Sequence, residues 1–325
     1  MAEQGIPVVV MGLGEIGRAI ARRALAHPDL RLVGAVDPAK GLAGRPLESL
    51  IGAPAAGLTV EADPQKALQR ARGGVVLHAA TSSFEAALPL LRQAVEAGCS
   101  VVSTCEELAW PWLDHEAEAD ALDALCEQRD VAVVGTGVNP GFALDRLPAF
   151  LAQVVGEVRH VRGLRVVDLL RRRDALRRKV GVGLSEEAFH AAEEAGTVGH
   201  VGLAESAALA AAGCGLEVDE VEEELSPLLA EEEAHGVKKG QVAGVQQVAR
   251  AFQEGREVAR LELIVALGVD HPRDEVELDA DPPLRAVIPG GVPGELATVN
   301  AVIHAALAVT ERRGLITVLD LPAGR

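Results

Sequence analysis

Over roughly the first 140 residues, short apolar runs alternate with segments whose apolar positions recur every three or four residues. The runs at 7–11, 30–36, 75–79, 100–103 and 131–134 have the near-continuous apolar character of strands buried on both faces, and 58–60 is a shorter candidate. The stretches at 16–26, 64–72, 83–98 and 114–129 carry helical spacing. Each parallel strand pair needs a crossover, and a helix supplies it, so this alternation predicts a doubly wound parallel sheet.

Near Gly141 the pattern changes. A helix is expected over 142–154, and then long strand-like stretches follow at 157–170, 216–225, 241–252, 258–268 and 275–278. Helices at 185–196 and 200–212 interrupt them. Runs of strands without intervening helices predict an open, mostly antiparallel sheet in a second, α+β domain. A long apolar helix at 295–310 and a strand at 315–319 close the chain. The expected architecture is α/β: a Rossmann domain over 1–142, an α+β substrate and dimerisation domain over 143–292, and a tail over 293–325 that returns to the first domain.

Context makes one glycine pattern specific. Gly12-Leu13-Gly14-Glu15-Ile16-Gly17 stands between the first apolar run and the first helix, and the next run ends on Asp37, 20 residues after Gly17. This is the strand–turn–helix–strand–acid layout of a dinucleotide-binding unit. The glycines allow a tight turn and close backbone approach to a pyrophosphate, which the helix N-terminus attracts. The same glycines could serve a tight turn in another α/β protein; the flanking strands and Asp37 favour the cofactor. Glu15, Ile16 and Lys40 lie beside the expected adenosine and pyrophosphate, and the cofactor is NAD or NADP.

Composition narrows the partners. A formal charge of −17 argues against nucleic acid and anionic membranes. No apolar segment approaches the roughly 18 residues of a membrane span, and the N-terminus lacks the basic-then-apolar pattern of a signal peptide. The four cysteines form no CxxC pair and no metal spacing, so they read as reduced thiols in the cytoplasm, and no metal is expected. The chain contains no tyrosine, which removes one common catalytic acid.

Ligands of open α/β sheets sit beyond the carboxyl ends of the strands. Three such ends carry polar residues: His78-Ala79-Ala80-Thr81-Ser82-Ser83, Thr104-Cys105-Glu106-Glu107, and Gly135 followed by Thr136-Gly137-Val138-Asn139-Pro140-Gly141-Phe142. Ala80, Thr81 and Ser82 read as a cofactor-facing turn with a helix cap, and Thr104 and Asn139 join the cofactor set. From local sequence alone, the Glu106–Glu107 pair suits either chemistry or the solvated first turn of a helix.

Thr104-Cys105-Glu106-Glu107-Leu108 with Trp110-Pro111, and the Gly135–Phe142 stretch, resemble the 2,4-diaminopentanoate dehydrogenase family, relatives of dihydrodipicolinate reductase that include native amine dehydrogenases. Lys179-Val180-Gly181-Val182-Gly183-Leu184-Ser185, Gly199-His200-Val201-Gly202-Leu203-Ala204-Glu205-Ser206 and Leu319-Asp320-Leu321-Pro322 resemble its later motifs. The resemblance implies NAD(P)-dependent interconversion of an amine with a ketone and ammonia. It assigns the catalytic carboxylate to Glu106, with Glu107 as the alternative, and the substrate to Asn139, Pro140, Gly141, Phe142, Lys179 and His200. Arg171–Arg173, Arg177 and Arg178 are further candidates for a substrate carboxylate, or form a solvated basic loop. No His-His run occurs, so tetrahydrodipicolinate reduction is not expected, and the missing tyrosines point to a smaller or less polar amine. Another imine or aldehyde reductase, an amino-acid dehydrogenase, or a cofactor-binding sensor on the same scaffold are the alternatives, and a homodimer is expected.

Overall fold

The computed structural model describes residues 5–170, 174–322 and 324. The chain divides into two compact units, one of residues 1–141 with 293–325 and the other of residues 142–292.

The first unit begins with β1 (Ile6–Met11), α1 (Glu15–Leu25), β2 (Leu30–Val36), α2 (Leu47–Ile51), β3 (Val60–Glu61) and α3 (Gln65–Arg70). It continues with β4 (Val75–His78), α4 (Phe84–Glu96), β5 (Ser100–Ser103), α5 (Glu116–Arg129) and β6 (Ala132–Gly135). Two short 3-10 turns, Glu107–Ala109 and Pro111–Leu113, follow β5. Val8, Val9 and Val10 of β1 and all of β5 are buried, as strands covered on both faces require. On one face Val9, Met11, Val76 and Val101 form a core with Ala67, Phe84, Leu91, Leu122 and Cys126 from α3, α4 and α5.

The second unit opens with α6 (Arg146–Ala152), β7 (His160–Asp168), α7 (Asp174–Lys179), α8 (Glu186–Glu194) and α9 (Leu203–Gly213). Five strands follow: β8 (Glu220–Leu229), β9 (Val242–Gln253), β10 (Arg256–Ala266), β11 (Arg273–Asp279) and β12 (Leu284–Pro289). They form a six-stranded sheet in the order β12-β11-β7-β10-β9-β8. It is mixed: β7 and β10 run parallel and every other pair is antiparallel. Buried Val161, Leu261, Leu263 and Ala249 lie on the face that α9 covers, while Leu164, Ile264 and Val287 share the opposite face.

The chain then returns to the first unit through α10 (Gly294–Ala308) and β13 (Gly314–Ile316). β13 pairs with β6 and completes a seven-stranded, all-parallel sheet in the order β13-β6-β5-β4-β1-β2-β3. α10 packs beside α1.

Several elements differ from their sequence-based expectation. The helix expected over 142–154 is regular only at α6, because residues 142–145 form turns and buried Asp145 caps the helix through Arg146 N–H at 2.6 Å. The strand expected over 216–225 starts later, at Glu220, because Leu216 N–H still satisfies the Ala211 carbonyl at the end of α9. β8 then runs through Pro227, which an edge strand tolerates. Arg177, Arg178 and Lys179, one reading of which was a loop, lie on α7, whereas Arg171, Arg172 and Arg173 fall outside the described residues. The strand expected over 315–319 stops at Ile316, where Thr317 and Asp320 form a capping box around a 3-10 turn. α2 and β12 were not foreseen; α2 is a single short turn, and β12 carries only alternate half-buried positions.

Candidate active site

The glycine turn leaves β1 and enters α1. Gly12 has φ +86°, and a Cβ there would lie 2.6 Å from the Ala79 carbonyl oxygen. A Cβ on Gly17 would lie 1.7 Å from the Gly12 carbonyl oxygen, so the helix can approach the turn only without a side chain. Gly14, the N-cap of α1, is different: a Cβ on it would meet nothing within 4 Å. Gly12 and Gly17 shape the turn, and Gly14 leaves open space over a helix N-terminus.

Asp37 closes this turn from β2. Its Oδ2 accepts Leu13 N–H at 2.7 Å and its Oδ1 accepts Ala39 N–H at 2.9 Å. Arg18 Nε donates to the Leu13 carbonyl at 2.7 Å from the other side. Each Asp37 oxygen keeps a second lone pair for a further donor. Exposed Glu15, half-buried Ile16 and exposed Lys40 complete this end. Open space over an 11-residue helix and a fixed carboxylate fit a dinucleotide.

The ends of β4, β5 and β6 continue their ladder by one bond each, Thr104 N–H to the His78 carbonyl at 2.9 Å and Thr136 N–H to the Ser103 carbonyl at 2.8 Å. Beyond β4, Ala80, Thr81 and Ser82 lead into α4. Thr81 Oγ1 accepts Ser83 N–H, and Ser83 Oγ caps the helix through Ala86 N–H at 3.4 Å. Beyond β5, the two acids separate. Glu107 Oε2 accepts Phe84 N–H at 2.6 Å, so its carboxylate sits on the N-terminus of α4, with His115 Nε2 3.9 Å away. Glu106 is half-buried at the head of the 3-10 turn.

The loop after β6 is tightly folded. The Asn139–Pro140 peptide is cis, and a Cβ on Gly141 would lie 2.3 Å from Gly137 N. Phe142, the first residue of the second unit, is 39% exposed.

In the second unit the motifs around Lys179 and His200 meet through their main chains. Gly199 N–H donates to the Lys179 carbonyl at 3.0 Å. The side chain of Gln247, buried on β9, holds the His200 peptide at both ends: its Oε1 accepts His200 N–H at 2.9 Å and its Nε2 donates to the His200 carbonyl at 2.6 Å. Gln247 Nε2 also donates to Glu223 Oε1 at 2.6 Å. Glu223 is an exposed residue of β8, and desolvation around its carboxyl group raises its pKa against the opposing bonds from Gln247 and Ala204. Gln247 and Glu223 were missed by sequence reasoning, because nothing local marks a strand glutamine as a clamp for a distant loop.

Two models of known families match this chain in sequence. One, for the N-terminus of dihydrodipicolinate reductase, covers residues 6–106. The other, for the 2,4-diaminopentanoate dehydrogenase C-terminal domain, covers residues 142–325, more than half of the chain. The chain belongs to the 2,4-diaminopentanoate dehydrogenase family. It is accordingly an NAD(P)-dependent oxidoreductase on a Rossmann scaffold. Among relatives of the family, it is 26% identical to a 2,4-diaminopentanoate dehydrogenase of Acetoanaerobium sticklandii, across 98% of this chain and 94% of that protein. It is 30% identical to an amine dehydrogenase of Streptomyces virginiae over 55% of this chain and 51% of that one. The fold matches the structure of an amine dehydrogenase from Mycobacterium smegmatis with a TM-score of 0.85 at 23% identity, covering 100% of this chain and 98% of the other.

Proposed function

We propose that the protein is an amine dehydrogenase that interconverts an amine or diamino acid with the corresponding ketone and ammonia. One observation carries the assignment of roles: the Glu107 carboxylate is held by Phe84 N–H at the start of α4, a helix-capping role, and the resemblance to the family gives the chemistry to Glu106. The names of the relatives in Acetoanaerobium sticklandii and Streptomyces virginiae support an amine as substrate.

The residues around the glycine turn would hold NAD or NADP: Gly12, Gly14, Glu15, Ile16, Gly17, Asp37 and Lys40 at the adenosine and pyrophosphate end, and Ala80, Thr81, Ser82, Thr104 and Asn139 further along. The bound nicotinamide supplies a hydride acceptor for oxidation and a donor for reduction. An ammonium group does not release hydride, so Glu106 first takes its proton, passes it on to solvent water and leaves the neutral amine. Loss of hydride from the amine carbon leaves a cationic iminium, and the Glu106 carboxylate then stands opposite that charge. Water adds to the carbon as Glu106 takes one of its protons, Glu106 returns that proton to the nitrogen, and the C–N bond breaks to release ammonia and the ketone as the hydroxyl proton passes back to Glu106. Asn139, Pro140, Gly141 and Phe142 line the reacting end, while Lys179 pairs with a substrate carboxylate and His200 with its polar end.

The half-exposed Leu164, Ile264 and Val287, on the face of the second sheet opposite α9, support a homodimer across that face. The buried free thiols Cys99, Cys105 and Cys126 support a reducing, cytoplasmic setting. The deciding experiment is NADH and NADPH oxidation with a panel of ketones, with and without ammonium. Turnover that requires ammonium supports the reading, and turnover of ketones or aldehydes without it replaces amine chemistry by simple carbonyl reduction.

A further inference from the structure

The turn that carries Glu106 is built on a polar pair inside an otherwise apolar core. His78 and Ser103 end β4 and β5 directly opposite one another in register, and both are buried, at 1% and 0% exposure. Their side chains share the face of Val76 and Val101, so they lie over the core beneath α4 and α5. His78 Nδ1 and Ser103 Oγ are 2.7 Å apart. Ser103 Oγ also accepts Cys105 N–H at 3.0 Å. The serine hydroxyl therefore has its hydrogen free to donate to Nδ1. Burial lowers the pKa of His78 to about 4, so the ring is neutral at ordinary pH and can serve as that acceptor.

The next residue is fixed as well. Cys105 is buried, and its Sγ–H donates to the Ser82 carbonyl at 3.0 Å. Burial pushes this thiol up to about 12, so the donor hydrogen stays in place. On the far side, Glu107 N–H donates to the same carbonyl at 3.3 Å, and Ala109 N–H donates to the Glu106 carbonyl at 3.0 Å. Glu106 thus stands between two residues whose backbone N–H groups are both bound.

We propose that His78 and Ser103 are positioning residues for Glu106: the relay from Nδ1 through the serine hydroxyl to Cys105 N–H fixes the path of the main chain one residue before the catalytic carboxylate. This inference rests on the assignment of Glu106. A neutral acceptor at the Nδ1 position is what the relay needs, and His78 stands in register between Met11 and Ser103.

The test combines kinetics with structure. Ser103→Ala and His78→Leu break the relay, and His78→Asn keeps an acceptor oxygen near the place of Nδ1. Because a displacement of about 1 Å can cost on the order of 100-fold, Ser103→Ala and His78→Leu should lower kcat about 10- to 100-fold with little change in cofactor affinity. His78→Asn should recover most of that loss. In a Glu106→Gln background Ser103→Ala should cost almost nothing further, since both changes then disable one group. Crystal structures should show the 104–107 turn displaced in Ser103→Ala and restored in His78→Asn. An undisplaced turn in Ser103→Ala, a full further loss in the double variant, or equal losses in His78→Leu and His78→Asn overturns the positioning role. Near-normal turnover of Glu106→Gln overturns the assignment of Glu106 instead, whatever the crystal structures show.

Discussion

The two units hold their candidate residues by different means. In the first, most of the groups stand just past strand ends, and the main-chain ladder sets where those ends lie: Thr104 bonds to His78, and Thr136 bonds to Ser103. In the second, Lys179 and His200 sit at a helix end and in a glycine-flanked loop, and a side chain 47 residues from His200 fixes its peptide. A strand end is rigid because its neighbours on both sides are rigid. A clamped loop is only as rigid as the clamp, so loss of Gln247 should loosen the His200 loop, whereas in the first region only the turns past the strand ends, and not the strands, should shift.

The largest effect should come from the first region. Glu106→Gln removes the base and the negative charge while keeping size, and amine oxidation should fall on the order of 100- to 10,000-fold. Cofactor affinity, measured by NADH fluorescence, should hardly move. Glu107→Gln should instead leave kcat within a few-fold and lower the melting temperature, since it weakens a helix-terminal bond. Exchange of these two outcomes would transfer the catalytic role to Glu107.

Next in size is a pH effect confined to the same edge. The folded pKa of His78 lies near 4, below its ordinary 6.5. As pH falls from about 6.5 to about 4, the unfolded chain takes a proton that the folded chain refuses, so stability drops by about 3 kcal/mol and is recovered above that window. Urea denaturation at pH 7 and pH 4.5 should show a smaller drop for His78→Asn than for the native chain. Equal drops would mean that the carboxylates account for all of it.

Breaking the second region should cost less and show in a different constant. Gln247→Leu removes both of its bonds to the His200 peptide, a loss of about 1–3 kcal/mol for buried polar groups. KM for the amine should rise, and cofactor binding should stay as it was. A rise in the cofactor constant as well would deny that the effect is confined to the amine. The smallest expected change is at the adenosine end: Asp37→Ser should shift the ratio of kcat/KM for NADPH over NADH upward by about tenfold, because the carboxylate opposes a 2′-phosphate. An unaltered ratio would remove Asp37 from the ribose.

The same contrast explains what the sequence made legible. The alternation of apolar runs and helical spacing marks the parallel sheet, and Gly12, Gly14, Gly17 and Asp37 mark its turn, because each of these signals is local. That β7 and β10 run parallel inside the second sheet is a fact of pairing between residues about 100 apart, and no local pattern records it. The adjacent acids Glu106 and Glu107 look alike in sequence, and the bond from Phe84 N–H, 23 positions from Glu107, marks one of them as a helix cap. His78 and Ser103 could have been noticed as polar residues ending neighbouring apolar runs. Gln247 could not, since a half-polar strand has many such glutamines.

The return of β13 to β6 also bears on the order in which the protein can be made. A chain synthesised from its N-terminus completes β1 to β6, then the whole second unit, before the last strand of the first sheet exists. During that interval β6 presents an unpaired edge to every other nascent chain in the neighbourhood. The exposure ends when Leu315 N–H reaches the Asp123 carboxylate on α5 and the strand settles beside Val133. The final segment is a closing stitch, and the protein is exposed to mispairing until it is sewn.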